Sequence, residues 1–113
     1  MAGTLKKISG PAFLAAAAAD VYTPPAATIY TVIKHIHLVN KDASARTATL
    51  YVGATGGSSS GTEILAAYSI AVGGVYDMYF QPGLRMASTD FLSGLASSVS
   101  TVTITVMGEQ NVV

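Results

Sequence analysis

The chain has 113 residues, six Lys and Arg against six Asp and Glu, no Cys and no Trp. Half of it is hydrophobic and only 11% is charged, which excludes a disordered chain. The missing Cys removes disulfides and thiolate sites, and the zero net charge leaves no electrostatic footprint for nucleic acid or an anionic membrane.

The length fits one domain, burying roughly two-thirds of the surface of its unfolded chain. Zero net charge also leaves nothing to repel neighbouring copies. Residues 1–19 read as an N-terminal arm and residues 20–113 as a β-sandwich domain. Lys6-Lys7, the apolar stretch Ile8 to Leu14 and the alanines before Asp20 imitate a secretion signal, but Gly10-Pro11 interrupts the apolar run. No run reaches the ~18 apolar residues of a membrane helix. Ala15 to Ala19 suit one helical turn or a flat extended arm. A helix that short is marginal alone, so the segment must lean on its own domain or on a neighbour.

Asp20 to Thr23 reads as a short strand stopped by Pro24-Pro25, which places it at an edge or turn. Ile29 to Asn40 is the longest strand. Simple alternation puts Tyr30, Val32, Lys34, Ile36 and Leu38 on one face, and Ile29, Thr31, Ile33, His35, His37 and Val39 on the other. A polar turn over Asn40 to Ala45 leads to a returning strand, Arg46 to Val52, so the two are expected to form a long hairpin. Ala48, Leu50 and Val52 share one face of that second strand.

Gly53 to Gly61 holds four Gly and three Ser and reads as a solvated loop. It lacks the G-K-[ST] of a phosphate-binding loop. Thr62 to Ile70 follows as a moderately apolar strand or a short mixed element, and Gly73-Gly74 as a turn. Val75 to Gln81 comes next, with Tyr76, Met78 and Phe80 alternating against Val75, Asp77 and Tyr79. Gln81-Pro82-Gly83 reads as a second turn before a brief Leu84 to Met86 strand. Thr89-Asp90 leads into Phe91 to Ala96, and Ser97-Ser98 turns the chain again. Thr101 to Met107 alternates most cleanly, with Val102, Ile104 and Val106 inward. Seven or eight short strands at regular spacing indicate an all-β sandwich, jelly-roll-like or Greek key.

Chemistry-bearing residues are sparse. His35 and His37 lie two apart on a strand, so both point to one face, a workable geometry for two metal ligands. A third ligand would have to come through the fold, from Asp42, Asp77 or Asp90, or from symmetric copies. The reading favoured from sequence is two polar residues on a half-exposed face, with no metal and no cofactor. Asp77 and Asp90 show nothing local that would make them an acid–base pair, and Asp90 reads as a turn residue. Glu63 and Glu109 flank turns. The Ser residues sit in loops without a G-x-S-x-G elbow. No catalytic residue is expected, and the chain reads as a non-enzyme. Tyr30, Tyr51, Tyr68, Tyr76 and Tyr79 fall in strands, where they serve a core, an interface or carbohydrate stacking.

Val21-Tyr22-Thr23-Pro24-Pro25-Ala26, Val32 to Asn40 and Ala45 to Gly53, followed by Ala71-Val72-Gly73-Gly74 and Asp90 to Ala96, resemble in their order the small virion proteins of tailed bacteriophages. In that family a Y-T-x-P lead-in precedes a long strand ending H-(I/V)-x-(L/V)-x-N. A T-x-T-L-x-(V/I)-G strand, a Gly turn and a (D)-x-L-x-G-x-A-S segment follow. The resemblance spans roughly Val21 to Met107. It implies a homo-oligomeric, often trimeric, structural module without catalytic residues. The expected role is a capsid decoration (cement) protein that oligomerises and bridges major capsid proteins. The alternative is a minor tail, neck or fibre-base protein, and the remote alternative is a carbohydrate-binding sandwich. Expected partners are copies of the chain itself and major capsid or other virion proteins, with no nucleic acid and no membrane; the expected location is the virion. Phe13, Leu14, Ala15, Ala16, Ala17, Ala18 and Ala19 are the expected assembly contacts.

Overall fold

The computed structural model describes residues 6–25, 28–54 and 62–112, and among these described residues the β-prone runs fold into eight strands and no helix. They are β1 (Lys6–Phe13), β2 (Ala19–Tyr22), β3 (Thr28–Asn40), β4 (Arg46–Ala54), β5 (Glu63–Ile70), β6 (Val75–Ala87), β7 (Asp90–Ala96) and β8 (Val102–Val112). One sheet has the order β1-β8-β3-β6 and the other β2-β7-β4-β5, with every pairing antiparallel. Two four-stranded sheets in this order make a jelly roll, the first of the two sandwiches expected.

The core fills the space between the sheets. Leu14, Ile33, Ile36, Leu38, Leu50, Met86, Leu92 and the inward row Val102, Ile104 and Val106 are all buried. Ala48 and Leu50 face inward as alternation requires, while Val52 packs at the margin. Tyr76, Met78 and Phe80 pack against the core and Val75, Asp77 and Tyr79 face out. The expected loop over Gly53 to Gly61 starts on β4, and its residues 55–61 lie outside the described residues.

Four sequence expectations are corrected. First, β3 and β4 are not a hairpin. They belong to opposite sheets, and Asn40 to Ala45 is the crossover between them. Alternation reports which face of a strand is buried, and it is blind to which strand lies alongside. Second, the segment from Lys6 onward is not separate from the sandwich. β1 pairs along β8, Leu14 N donates to the Val102 carbonyl at 2.8 Å, and Leu14 is 1% exposed. Burial of Leu14 and the backbone bonds of β1 bind this segment to its own domain. Third, Ala15 to Ala19 form neither a helical turn nor a flat extended arm: the chain bends at Ala16 and Ala17, and Ala19 opens β2. Ala96 N donates to the Ala15 carbonyl at 2.8 Å, so tertiary pairing overrides helix propensity.

Fourth, β3 does not keep two unbroken faces. Ile33 pairs with Gly108 and His35 with Met107, leaving Lys34 as an extra residue against β8. Thr31 and Ile33 face the core before this bulge, and Ile36, Leu38 and Asn40 face it afterwards. One inserted residue exchanges the faces of everything beyond it. Both faces looked partly apolar because each supplies half of the core row. On the other side, Ile33 pairs with Leu84 and His35 with Tyr79, so Phe80 to Gly83 arch out of β6. The expected Gln81-Pro82-Gly83 turn is therefore an arch within a continuous strand. Gly83 adopts φ of 146°, a value side chains resist. Lys34 Nζ donates to the Pro82 carbonyl at 2.6 Å and ties the two irregularities together. Gly108 sits opposite, where an added Cβ would strike the Val32 carbonyl oxygen.

Candidate functional site

The bulge at Lys34 decides what the histidines can do. Unbroken alternation from the buried Thr31 and Ile33 would turn His35 and His37 into the core. With Lys34 inserted they stand on the outer face of the β1-β8-β3-β6 sheet, beside edge strand β6. His37 is paired directly across from Asp77, and His35 across from Tyr79. The three polar side chains converge on one oxygen. His35 Nε2 lies 2.7 Å and His37 Nδ1 2.6 Å from Asp77 Oδ1.

The electrostatics follow from those contacts. Hydrogen bonds from His37 and then His35 hold the Asp77 carboxyl below the ordinary carboxylate range, and burial opposes them only in part. For both bonds to form, His35 carries a proton on Nε2 and His37 on Nδ1. The His35 ring stacks on Tyr79 with centroids 4.4 Å apart and planes 3° from parallel, which fixes its orientation. The side chains of His35, His37 and Asp77 are 19%, 36% and 33% exposed, so the cluster is reachable from solvent. Lys34 is turned to Pro82, and Arg85 lies over the Tyr30 ring at 4.1 Å.

Of the three acids named as possible third partners, only Asp77 joins the pair. Asp42 accepts from Arg46 Nε at 2.6 Å across the Asn40 to Ala45 crossover. Asp90 caps its turn, accepting from Ala87 N at 2.9 Å, as a turn residue should. Asp77 and Asp90 are thus engaged in separate structures. Among the described residues, His35, His37 and Asp77 are the one group of three with metal-ligand spacing.

The residues expected as assembly contacts divide. Phe13 is 49% exposed and Ala16 to Ala19 are exposed, whereas Leu14 is core and Ala15 is half-buried. Four of them, Phe13, Leu14, Ala15 and Ala19, join Val21 and Ile104 in lining an apolar groove whose one ionisable side chain is Asp20. Asp20 accepts from Ser93 Oγ at 3.3 Å. The tyrosines divide as well. Tyr22 is buried, its hydroxyl bonded to Thr31 Oγ1 at 3.0 Å and accepting from Gln110 Nε2 at 2.7 Å. Tyr68 and Tyr79 are exposed, and each has one ring face stacked, on Tyr76 and His35 respectively.

No family model and no curated protein sequence matches the chain. Among solved structures it is similar to a chain described as "Bacillus endospore appendages form a novel family of disulfide-linked pili". The two share 13% identity with a TM-score of 0.55, over 100% of this chain and 91% of the other. At that identity the likeness is one of fold, and it runs the full length of the jelly roll.

Proposed function

We propose that this chain is a non-enzymatic structural subunit that works by associating with copies of itself in a larger assembly. The observation that carries the reading is the surface of the jelly roll. Its sheets end in four edge strands, β1, β6, β2 and β5. Zero net charge and exposed Phe13, Val72, Val75 and Tyr79 leave little to keep copies apart. The full-length likeness to a pilus-forming chain supports the same role. In its finer form the assembly is a bacteriophage virion. Trimers of the chain decorate the head and tie major capsid proteins together, with Phe13 and Ala16 to Ala19 among the contacts. A minor tail or neck position is the variant of this form. A second form, favoured by the same likeness, is a filamentous appendage. Because the chain has no Cys, such a filament would be held without disulfides.

The test is electron microscopy of the purified chain together with quantitative mass spectrometry of particles from its source. Discrete oligomers and a near-stoichiometric ratio to the major capsid protein are the result expected of a decoration protein. A ratio of a few per cent would place it on the tail or neck. Filaments formed by the chain alone would replace the virion form with the appendage form. A monomer at high concentration, absent from any particle, would overturn self-assembly itself.

A further inference from the structure

We propose that His35, His37 and Asp77 form a surface site for a divalent transition-metal ion, Zn2+ foremost. Nitrogen donors from two imidazoles and one carboxylate oxygen are a donor set suited to zinc, and also to copper, nickel or iron. The three donor atoms lie within 4.8 Å of one another. Bond lengths of about 2.0–2.2 Å in a tetrahedron need donors roughly 3.3–3.6 Å apart. The present separations of 2.7 and 2.6 Å from Asp77 Oδ1 therefore need to widen by roughly 0.6–1.0 Å, within reach of side-chain rotation.

The backbone supplies the rigidity. Two ligands come from β3 and one from β6, on paired strands just beyond the Lys34 bulge that aims them outward. Tyr79 holds the His35 ring flat against its own. Lys34 and Arg85, cations of the same two strands, are engaged with Pro82 and Tyr30 and leave the Asp77 carboxylate to the imidazoles. Binding moves the proton of each imidazole to its other ring nitrogen, which frees His35 Nε2 and His37 Nδ1 as donors. Three protein ligands leave one position of a tetrahedron open, and on this outer face it is open to water or to a donor from another molecule. The site stands outside the apolar groove, whose lining includes none of the three residues.

The experiment uses the full-length, tag-free chain, stripped with chelator and titrated with Zn2+ by calorimetry and with Co2+ by visible absorption. The expected result is one ion per chain, with the intense absorption of tetrahedral Co2+. Asp77→Asn and His37→Ala should each weaken binding by at least the ~10–100-fold that losing even an outer partner costs. Asp42→Asn should bind as the parent does. Nitrogen-15 spectra of the imidazoles give an independent readout, with Zn2+ shifting His35 Nε2 and His37 Nδ1. No saturable binding, binding unchanged in the Asp77 and His37 variants, or imidazole shifts unmoved by Zn2+ would overturn the site.

Discussion

Asn40 stands at the last position of β3, where the chain leaves one sheet for the other, and it is completely buried. Its Nδ2 lies 2.9, 3.0 and 3.2 Å from the carbonyl oxygens of Ser44, Ile70 and Ala71, and its Oδ1 accepts from Asp42 N at 2.9 Å. One side chain thus satisfies the crossover loop and the end of β5 at once. Asn40→Ala leaves those buried groups unpaired and should cost roughly 1–3 kcal/mol, read from urea unfolding. Asn40→Asp should cost more, because it sets a carboxylate against carbonyl oxygens. Equal stability of all three proteins would show that water replaces the amide without loss. The sequence marks Asn40 as the end of a strand, but its partners Ile70 and Ala71 lie 30 and 31 positions away, beyond any local signal. The candidate site has the same partial legibility. The i, i+2 spacing exposes the histidine pair, while choosing Asp77 over Asp42 and Asp90 requires the register of β3 on β6.

At the scale of elements, local alternation read β8 and the outer half of β6 correctly because those stretches carry no inserted residue. It misread β3 because one residue, Lys34, is extra. Its own lysine chemistry gives no warning, since Lys34 is polar and suits an outward position in either phase. The Pro82-Gly83 pair on β6 is the sequence trace of the irregularity, though it reads equally well as a turn. The bulge predicts a contrast. Lys34→Ala removes one exposed hydrogen bond to Pro82 and should change stability by no more than ~0.5 kcal/mol. Deleting Lys34 keeps the composition nearly intact but forces Thr31 and Ile33, or Ile36, Leu38 and Asn40, onto the wrong face. Misplacing Ile33, or Ile36 and Leu38, at ~2–5 kcal/mol for each apolar side chain, together with a buried polar neighbour, is enough to unfold a domain near the lower end of the ~5–15 kcal/mol range of total stability. Thermal melts of the two variants check this. A deletion variant that melts like Lys34→Ala would mean that the bulge migrates along β3 at little cost.

For the whole molecule, the jelly roll assigns different jobs to neighbouring residues of the N-terminal segment. Phe13 faces out beside Lys41, whose Nζ lies 5.5 Å from its ring centroid, while Leu14 turns into the core. The proposed contact surface and a structural strand therefore share residues 6–19, and a truncation cannot separate them. Removing residues 1–19 strips β1 from β8, exposes the β8 ladder and takes Leu14 from the core. The truncated chain is expected to be unfolded or aggregated, and its failure to assemble would say nothing about contacts. Phe13→Glu separates the two roles. It places a carboxylate on an exposed position next to Lys41, so the melting temperature should stay close to that of the parent. If the Phe13 and Ala16 to Ala19 face joins copies together, the same change puts a charge into an apolar contact and should shift sedimentation from oligomer toward monomer. A Phe13→Glu chain that keeps both its melting temperature and its oligomeric state would move the interface to the β5 and β6 edges, where Tyr68, Val72, Val75 and Tyr79 are exposed.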